Sequence, residues 1–156
     1  MNNSILKQTT LFLAIVLTVM SCSNDELNHD YNIIGNWRVV SFNNNVTSKK
    51  ITKTSENTWM DFNNGDITLG FLNPDDTKGI VYGRCVTNAF SGYYSIEYKG
   101  KIKMENFIST MINEPEWGRL FHVIEYVDEY VIEKDMLIMY YNNKKHSIVL
   151  ERVVTD

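Results

Sequence analysis

The side chains that could carry catalysis or hold a metal are few and widely spaced. The chain has three histidines, His29, His122 and His146, and two cysteines, Cys22 and Cys85. No His-x-x-His, His-Glu-x-x-His or Cys-x-x-Cys pattern occurs, so the usual ligand spacing of a zinc site is missing. We therefore expect no metal and no cofactor, and we interpret the histidines as exposed side chains.

Two weaker arrangements are present in the sequence. Cys85 with a histidine could form a nucleophile and its base, but a single free cysteine is more often a small buried hydrophobe. Asp61, Asp66, Asp75 and Asp76 lie in or beside two turns, where local hydrogen bonding favours aspartate, and a Ca²⁺ site there is the alternative. Neither arrangement brings together the titratable groups of an active site, so we expect that the protein is not an enzyme.

Cys22 stands at a position suited to covalent lipid attachment. Residues 1–7 are polar and carry the cation Lys7, and an apolar run follows over residues 11–20. About ten residues span only ~15 Å as a helix, half of the ~30 Å bilayer core, which favours a secretory signal over a membrane-spanning helix. The run ends in Val19-Met20-Ser21-Cys22, which resembles the bacterial lipobox. The alternative is an ordinary cleaved signal in which Cys22 is incidental.

The lipobox resemblance implies that residues 1–21 are a signal peptide that is removed, and that acylated Cys22 becomes the mature N-terminus. Two acyl chains suffice for stable anchoring, so the membrane is an expected partner through this lipid. Only one thiol, Cys85, is then left in the domain, which excludes an internal disulfide. We expect a protein of the cell envelope that is anchored to a membrane without spanning it.

The residues after Cys22 are polar and acidic, and we interpret residues 22–32 as a flexible tether. Asp25 and Glu26 stand close to the lipidated position, and this stretch resembles the acidic sorting signal of surface lipoproteins in Bacteroidota. The resemblance implies an outer-membrane location, with surface display and the periplasmic leaflet both open. The alternative is a solvated tether without a sorting role.

The composition is that of one ordinary globular domain. The 156 residues are 44% hydrophobic and 22% charged. With 15 Lys and Arg against 19 Asp and Glu, the net charge of −4 leaves no basic surplus for phosphates, so we expect no nucleic-acid partner. From Ile33 onward, short apolar runs alternate with turn signals, which predicts a single β-rich domain over residues 33–156. The predicted strands are residues 33–42, 58–62, 67–71, 80–82, 93–98, 101–104, 130–133, 136–141 and 146–153.

Three hairpin turns are predicted, because Asn and Gly accept positive φ angles. They are residues 63–66, Lys99-Gly100 and residues 142–145. In the first strand, the two-residue period places Trp37, Val39 and Ser41 on one face.

One segment departs from the two-residue period. Pro115 suits the first turn of a helix, and apolar residues then recur at helical spacing: Trp117, Leu120, Phe121, Ile124 and Val127. This spacing predicts a helix of about a dozen residues, 115–127, packed on the sheet.

Several tyrosines stand next to each other or close together: Tyr93, Tyr94, Tyr98, Tyr126, Tyr130, Tyr140 and Tyr141. Alternate residues of a strand face opposite sides, so one tyrosine of each adjacent pair is expected to face outward. Exposed tyrosines can form a binding surface, although tyrosine is also an ordinary strand former.

Three segments of the domain match a known arrangement: Ile34-Gly35-Asn36-Trp37, the stretch from Asn88 to Tyr94, and the helix with the strands after it. Together they resemble the META/HslJ-like family, small β-rich domains of bacterial envelope proteins. Family members often carry one cysteine before the central Asn and another after a Thr-x-Met-x stretch, where this chain has Thr87 and Asn113. The resemblance covers roughly residues 33–153 and implies a fold, and the family has no established catalytic residues to transfer.

We therefore expect a β-rich α+β domain, in which a curved antiparallel sheet or partly open barrel carries one packed helix. The leading hypothesis is a lipid-anchored envelope protein without catalytic activity that acts by binding or by supporting the envelope. The alternative is a lipocalin-like carrier, whose barrel encloses a small apolar ligand in a cavity of several hundred Å³.

Overall fold

The computed structural model describes residues 31–73, 78–98 and 100–154. The predicted signal peptide, Cys22, Asp25, Glu26 and His29, and the turn residues Asp75 and Asp76, lie outside the described residues. No helix within these ranges is long and apolar enough to cross a membrane. The same ranges contain no group of three or more His, Cys, Asp or Glu side chains that could hold a metal ion.

The described chain folds into an antiparallel barrel. Its strands are β1 (Gly35–Asn44), β2 (Lys49–Thr52), β3 (Thr68–Leu72), β4 (Gly79–Arg84), β5 (Ala89–Tyr98), β6 (Lys101–Ser109), β7 (Val127–Glu133), β8 (Met136–Tyr141) and β9 (His146–Arg152). The strand order is β2-β1-β3-β4-β5-β6-β7-β8-β9, and β1 also pairs with β9. β1 and β3–β9 therefore close an eight-stranded, up-and-down barrel. The predicted β-rich architecture with one helical segment is confirmed.

β1 closes the barrel because its edges serve three partners. One edge pairs with β9 from Trp37 to Asn44. The other edge pairs first with β3, over Gly35 to Arg38, and then with β2, over Ser41 to Asn44. The short, exposed strand β2 was not predicted.

The interior of the barrel is a packed core. On β4 and β5, small and large inward residues are complementary, since Gly79 lies opposite Tyr94 and Gly83 lies opposite Phe90. A Cβ atom at Gly79 would overlap the Tyr94 ring, so the ring occupies the space that a side chain would need. Several large interior side chains are 0% exposed: Trp37, Phe71, Leu137, Met139, Ile148 and Leu150. An eight-stranded barrel is just wide enough for side chains to fill, and here they fill it.

Chain segments cover both ends of the barrel. At the N-terminal end, the Ile33 carbonyl accepts a 2.9 Å hydrogen bond from Trp37 Nε1, and Tyr130 Oη donates to the Tyr31 carbonyl at 2.7 Å. Tyr31, which the sequence assigned to the tether, therefore packs against the barrel. At the opposite, helix end, Phe121 packs on Phe90 with ring centroids 4.9 Å apart.

The predicted helix is present but tighter than expected. An α-helix, α1 (Glu116–Arg119), continues as a 3₁₀ helix over Leu120–Tyr126, and Val127 begins β7. A 3₁₀ helix has three residues per turn, which matches the buried residues Phe121, Ile124 and Val127, each three apart. The apolar stripe therefore fits both helical periods, and packing selects the tighter one after the first turn.

The prediction of a strand over residues 58–62 is wrong, because these residues form turns. Asn63, Asn64 and Gly65 have φ angles of 49°, 51° and 67° and form a 3₁₀ turn within a loop. The predicted partner position beside β3 is already taken, since β3 pairs with β1 on one edge and β4 on the other. The prediction of a turn at residues 63–66 is therefore confirmed, and the prediction that this turn joins two paired strands is wrong.

The expected common face of β1 holds for Trp37 and Val39 and fails for Ser41. The register against β9 shifts between Val39, opposite Leu150, and Ser41, opposite Val149. Such a bulge inserts one extra residue and reverses the alternation beyond it. Phe42, opposite the buried Ile148, takes the inward position instead.

The other two predicted hairpins are confirmed. β5 and β6 pair on either side of Lys99-Gly100, where Gly100 has a φ angle of 75°. β8 and β9 are joined by residues 142–145, of which Asn142, Asn143 and Lys144 have φ angles of 54° to 60°.

Candidate binding surface on the outer face of the barrel

Strand register places one set of large side chains together on the outer face of β3–β6. Leu72 lies opposite Ile80, which lies opposite Tyr93. In the next row, Tyr82 lies opposite Ser91, which lies opposite Ile108. Directly opposed residues project to the same side of a sheet. We call the resulting surface the tyrosine face: Leu72, Ile80, Tyr82, Tyr93 and Ile108.

Four large side chains of the tyrosine face are exposed and Ile80 is partly buried, and the ring of Tyr82 lies beside small neighbours. Tyr82 is 40% exposed and stands between Gly70 on β3 and Ser91 on β5. Its ring lies across the glycine, since a Cβ at Gly70 would be only 2.6 Å from Tyr82 Cζ. Tyr93 is 46% exposed and Ile108 is 69% exposed.

Two shallow pockets lie on either side of Tyr82, so the tyrosine face is an uneven surface. One, of about 230 Å³, lies between β1 and β4 and is lined by Asn36, Gly70 and Tyr82, among others. The other, of about 340 Å³, lies across β5 and β6 and is lined by Ser91 and Ile108, among others. Both open to solvent, so this surface is suited to contact with a partner and not to enclosure of a ligand.

Charged residues border the tyrosine face on β6. The Glu105 carboxylate lies 2.5 Å from Lys78 Nζ and 2.7 Å from Lys103 Nζ. Hydrogen bonds from Lys103 and then Lys78 lower the pKa of Glu105 to about 2. Glu105 therefore stays ionised at neutral pH, with two ammonium groups beside one carboxylate. Arg84, at the end of β4, is exposed as well, and Glu97 lies near Lys103, so the border carries both signs of charge.

The expected alternation holds for both adjacent pairs, since Tyr93 and Tyr140 lie on the outer side and Tyr94 and Tyr141 pack on the core, but only Tyr93 is well exposed. Tyr93 is 46% exposed and Tyr94 is 3% exposed. Tyr140 and Tyr141 are both partly buried, because Lys144 lies over the Tyr140 ring and His146 stacks on Tyr141 with ring centroids 5.2 Å apart. The remaining tyrosines divide into exposed Tyr98 and Tyr126 and buried Tyr130.

Sequence reasoning missed Tyr82 and Ile108 as members of this surface. The available signal was the alternation of Ile80, Tyr82 and Arg84 along one strand. Only the register of β4, β5 and β6 brings Ile108 beside them.

Cys85 and one histidine meet in a small cavity at the helix end. Cys85 and His122 both line this cavity, whose volume is about 50 Å³. Burial, with a smaller contribution from the Glu114 carboxylate, raises the pKa of the Cys85 thiol to about 12. A thiol with that pKa is protonated at neutral pH and is a poor nucleophile. Cys85 is 8% exposed, as expected for a small buried hydrophobe.

His122, His146 and the turn aspartates within the described ranges form no metal site. His122 is exposed, as predicted, whereas His146 is partly buried by its stacking on Tyr141. Asp66 is ion-paired with Lys53 Nζ at 2.5 Å and lies 3.8 Å from Arg38 Nη1. A carboxylate already paired with two cations is a poor Ca²⁺ ligand.

A buried carboxylate that the sequence analysis did not single out connects two loops at the helix end. Glu114, 6% exposed, accepts hydrogen bonds from Thr87 Oγ1 at 2.7 Å and from Asn88 N and Nδ2 at 3.0 and 2.5 Å. A Cβ atom at Gly118 would overlap Glu114 Oε1, so the glycine makes room for the carboxylate. Thr87 Oγ1 also lies 2.9 Å from the Asn113 carbonyl oxygen. We interpret this cluster as structural, since its donors are all satisfied within the fold.

Comparison with known proteins supports the fold. No protein-family model matches the chain, and no curated protein matches it. Among solved structures, the chain is similar to the crystal structure of a DUF4847 family protein from Bacteroides vulgatus ATCC 8482, determined at 1.00 Å resolution. The TM-score is 0.56 at 15% identity, over 80% of this chain and 96% of that chain. The chain thus has the β-rich fold of a protein from the Bacteroidota.

Proposed function

We propose that the protein is a lipid-anchored envelope protein without catalytic activity, which acts by binding through the outer surface of its barrel. The contrast between the packed interior and the exposed tyrosine face carries this proposal. The cavity that holds Cys85 and His122 is small, and the thiol is protonated. These features favour a contact surface over an active site.

The lipid anchor rests on Val19-Met20-Ser21-Cys22. Cys22→Ala is expected to abolish metabolic labelling with a fatty-acid analogue and to release the protein from the membrane fraction. Cys85→Ala is the matched control and should leave labelling and fractionation unchanged. Equal labelling of wild type and Cys22→Ala would falsify the anchor.

The outer membrane is the proposed location, with Asp25 and Glu26 as its sorting signal. Replacing both by Ala while keeping Cys22 is expected to reduce protease accessibility of the domain on intact cells. Equal accessibility of the two proteins, or an inaccessible wild type, would reject a surface-export role for the acidic pair.

The META/HslJ-like relationship is supported by the 2.9 Å contact between Thr87 Oγ1 and the Asn113 carbonyl oxygen, which brings together the two positions where that family often carries cysteines. Thr87→Cys with Asn113→Cys is expected to form a disulfide under mild oxidation, measured as a mobility shift on non-reducing gels. A pair that stays reduced under conditions that oxidise the unfolded chain would speak against this correspondence.

A second candidate, a lipocalin-like carrier, is favoured by one observation, the eight-stranded up-and-down order of the barrel. Its interior is nevertheless filled by side chains. A fluorescent apolar probe is therefore expected not to bind the wild type, and Met139→Ala, which opens a small space inside, should admit only an atom-sized apolar probe such as xenon. If the wild type binds the fluorescent probe and Met139→Trp prevents this binding, the carrier function would be favoured.

A further inference from the structure

We propose that the tyrosine face lies against the lipid surface to which Cys22 is anchored, so that the barrel rests on its side. This inference rests on the proposed lipid anchor and adds the partner that the exposed face contacts. Three observations carry it: where the chain enters the barrel, the chemistry of the face, and the contrast with the opposite side.

The chain enters at the end of the barrel next to Leu72 and Ile80 of the tyrosine face, because Tyr31 and Asn32 line one pocket with Asn73 and Gly79. Tyr31 Cε1 would lie 3.0 Å from a Cβ atom at Gly100, in the turn that joins β5 to β6. The nine residues from 22 to 30 can span at most about 30 Å, close to the length of a ten-residue strand. A barrel on its side keeps this entry point near the membrane. A barrel standing on its helix end would require almost the full extension.

The chemistry of the face matches the boundary between lipid headgroups and acyl chains. Tyr82 and Tyr93 each combine an apolar ring with a polar hydroxyl, the property that enriches tyrosine at membrane interfaces. Two further exposed side chains lie near the ends of this side, Tyr98 at the end of β5, 64% exposed, and Met111 after β6, 99% exposed. Lysine and arginine at the border can extend their charged ends to headgroups while their stems cover apolar surface.

The opposite side of the barrel lacks these features. Within the described ranges, no large hydrophobic side chain of β7, β8 or β9 is exposed. A partner that needs exposed apolar side chains therefore has only the β3–β6 side, or the loops at the ends, to contact. The tyrosine face and the loops at the Tyr31 end both lie near the anchor, and the face adds exposed Tyr82, Tyr93 and Ile108 to this contact.

Vesicle flotation tests this inference without the lipid anchor. The mature chain from residue 22, with Cys22→Ser, is mixed with phosphatidylethanolamine vesicles that contain phosphatidylglycerol. We expect the protein to float with the vesicles, and Tyr93→Ser with Ile108→Ser to weaken its partitioning by about tenfold or more. Val46→Ser with Phe62→Ser, exposed apolar residues outside the face, is the matched control and should float like the parent.

A second readout locates the contact. Tyr93→Trp should be quenched by brominated lipids beyond the background of the parent, in which Trp37 and Trp117 are 0% exposed and Trp59 is 39% exposed. Unchanged denaturation midpoints would show that the variants are folded.

Equal flotation of face and control variants, or no quenching at position 93, would overturn the docking face. Binding of a soluble protein or polysaccharide through the same residues, without flotation, would also overturn it. Fatty-acid labelling of Cys22 is measured separately, so failure of the face and failure of the anchor are distinguishable.

Discussion

The two halves of the barrel are built by the same alternation of side chains, yet their outer faces differ. In the β3–β6 half, one outer row runs Gly70, Tyr82, Ser91, Ile108, so large and small residues alternate across the strands. In the other half, a row runs Val131, Ile138, Val149, Ser41. Val131, Ile138 and Val149 are only partly exposed, because side chains of similar bulk cover one another.

This difference teaches that exposure on a strand depends on the cross-strand neighbour as well as on the residue itself. Tyr82 has small residues on both sides and is left exposed, while Ile138 lies between two valines and is partly covered. Glycine and serine beside Tyr82 therefore leave its ring open to solvent.

The two halves meet at β6 and β7, and few backbone hydrogen bonds join them there. β6 and β7 share one ladder pair, Lys101 opposite Glu129, together with a 2.7 Å hydrogen bond from Tyr130 N to Gly100 O. Beyond this pair, the 3₁₀ segment takes the place of strand pairing, with Phe121 packed on Phe90. The seam between the halves thus depends on side-chain packing more than on backbone hydrogen bonds.

The largest expected effect comes from breaking this seam. Phe121→Ala removes a ring that is 2% exposed and should cost about 3–5 kcal/mol in the free energy of unfolding. Denaturant unfolding measures the loss, and native-state hydrogen exchange should show greater loss of protection in β6 than in β8. Equal loss in both strands would contradict a packing-dependent seam, and a wild-type midpoint would contradict burial of this ring.

The next effect concerns the buried carboxylate that connects the loops at the helix end. Glu114→Ala leaves the backbone N–H groups of Thr87 and Asn88 without their acceptor. Each unsatisfied buried group is costly, so we expect a loss of about 2–3 kcal/mol in unfolding experiments. Glu114→Gln keeps one acceptor oxygen and should lose less. If both variants unfold like the wild type, the cluster does not hold the loops together.

A smaller effect compares the two outer faces directly. Ile138→Ala should destabilise by about 1–2 kcal/mol, because it removes partly buried apolar surface. Tyr82→Ala should cost under about 1 kcal/mol, as for a more exposed residue. Chemical denaturation of both variants checks the order, and a reversed order would mean that Tyr82 serves stability and not contact.

The smallest effect is the pH dependence of the ion pairs on β6. The pKa of Glu105 is lowered from 4.5 to about 2 by Lys103 and Lys78. Its contribution is therefore complete above pH 4.5 and is lost as the pH falls toward about 2. The carboxylate is solvated, so the change in denaturation midpoint should be slight. Glu105→Gln should differ from the wild type by a constant amount at neutral pH and converge with it in acid, and a gap that widens in acid would contradict the pairing.

What the sequence by itself determined is the local part of this fold. Apolar periodicity identified most strands and the segment from Trp117 to Val127, and the Asn-rich stretch 142–145 identified a hairpin, because side-chain period and positive φ angles are properties of neighbouring residues. The lipobox-like stretch at Cys22 is also a local signal, and the lipid attachment that it indicates stays a prediction.

The tertiary structure decided what depends on residues far apart in the chain. Arg38 Nε donates to Glu151 at 2.8 Å across the β1–β9 closure, which joins positions 113 residues apart. Long-range strand pairing also produces the bulge after Val39 and places Ile108 opposite Ser91. It pairs β3 with β1 and β4 in place of the predicted strand 58–62. Local patterns cannot reveal these features, because each strand accepts several partners of suitable pattern, and packing of the whole core selects among them.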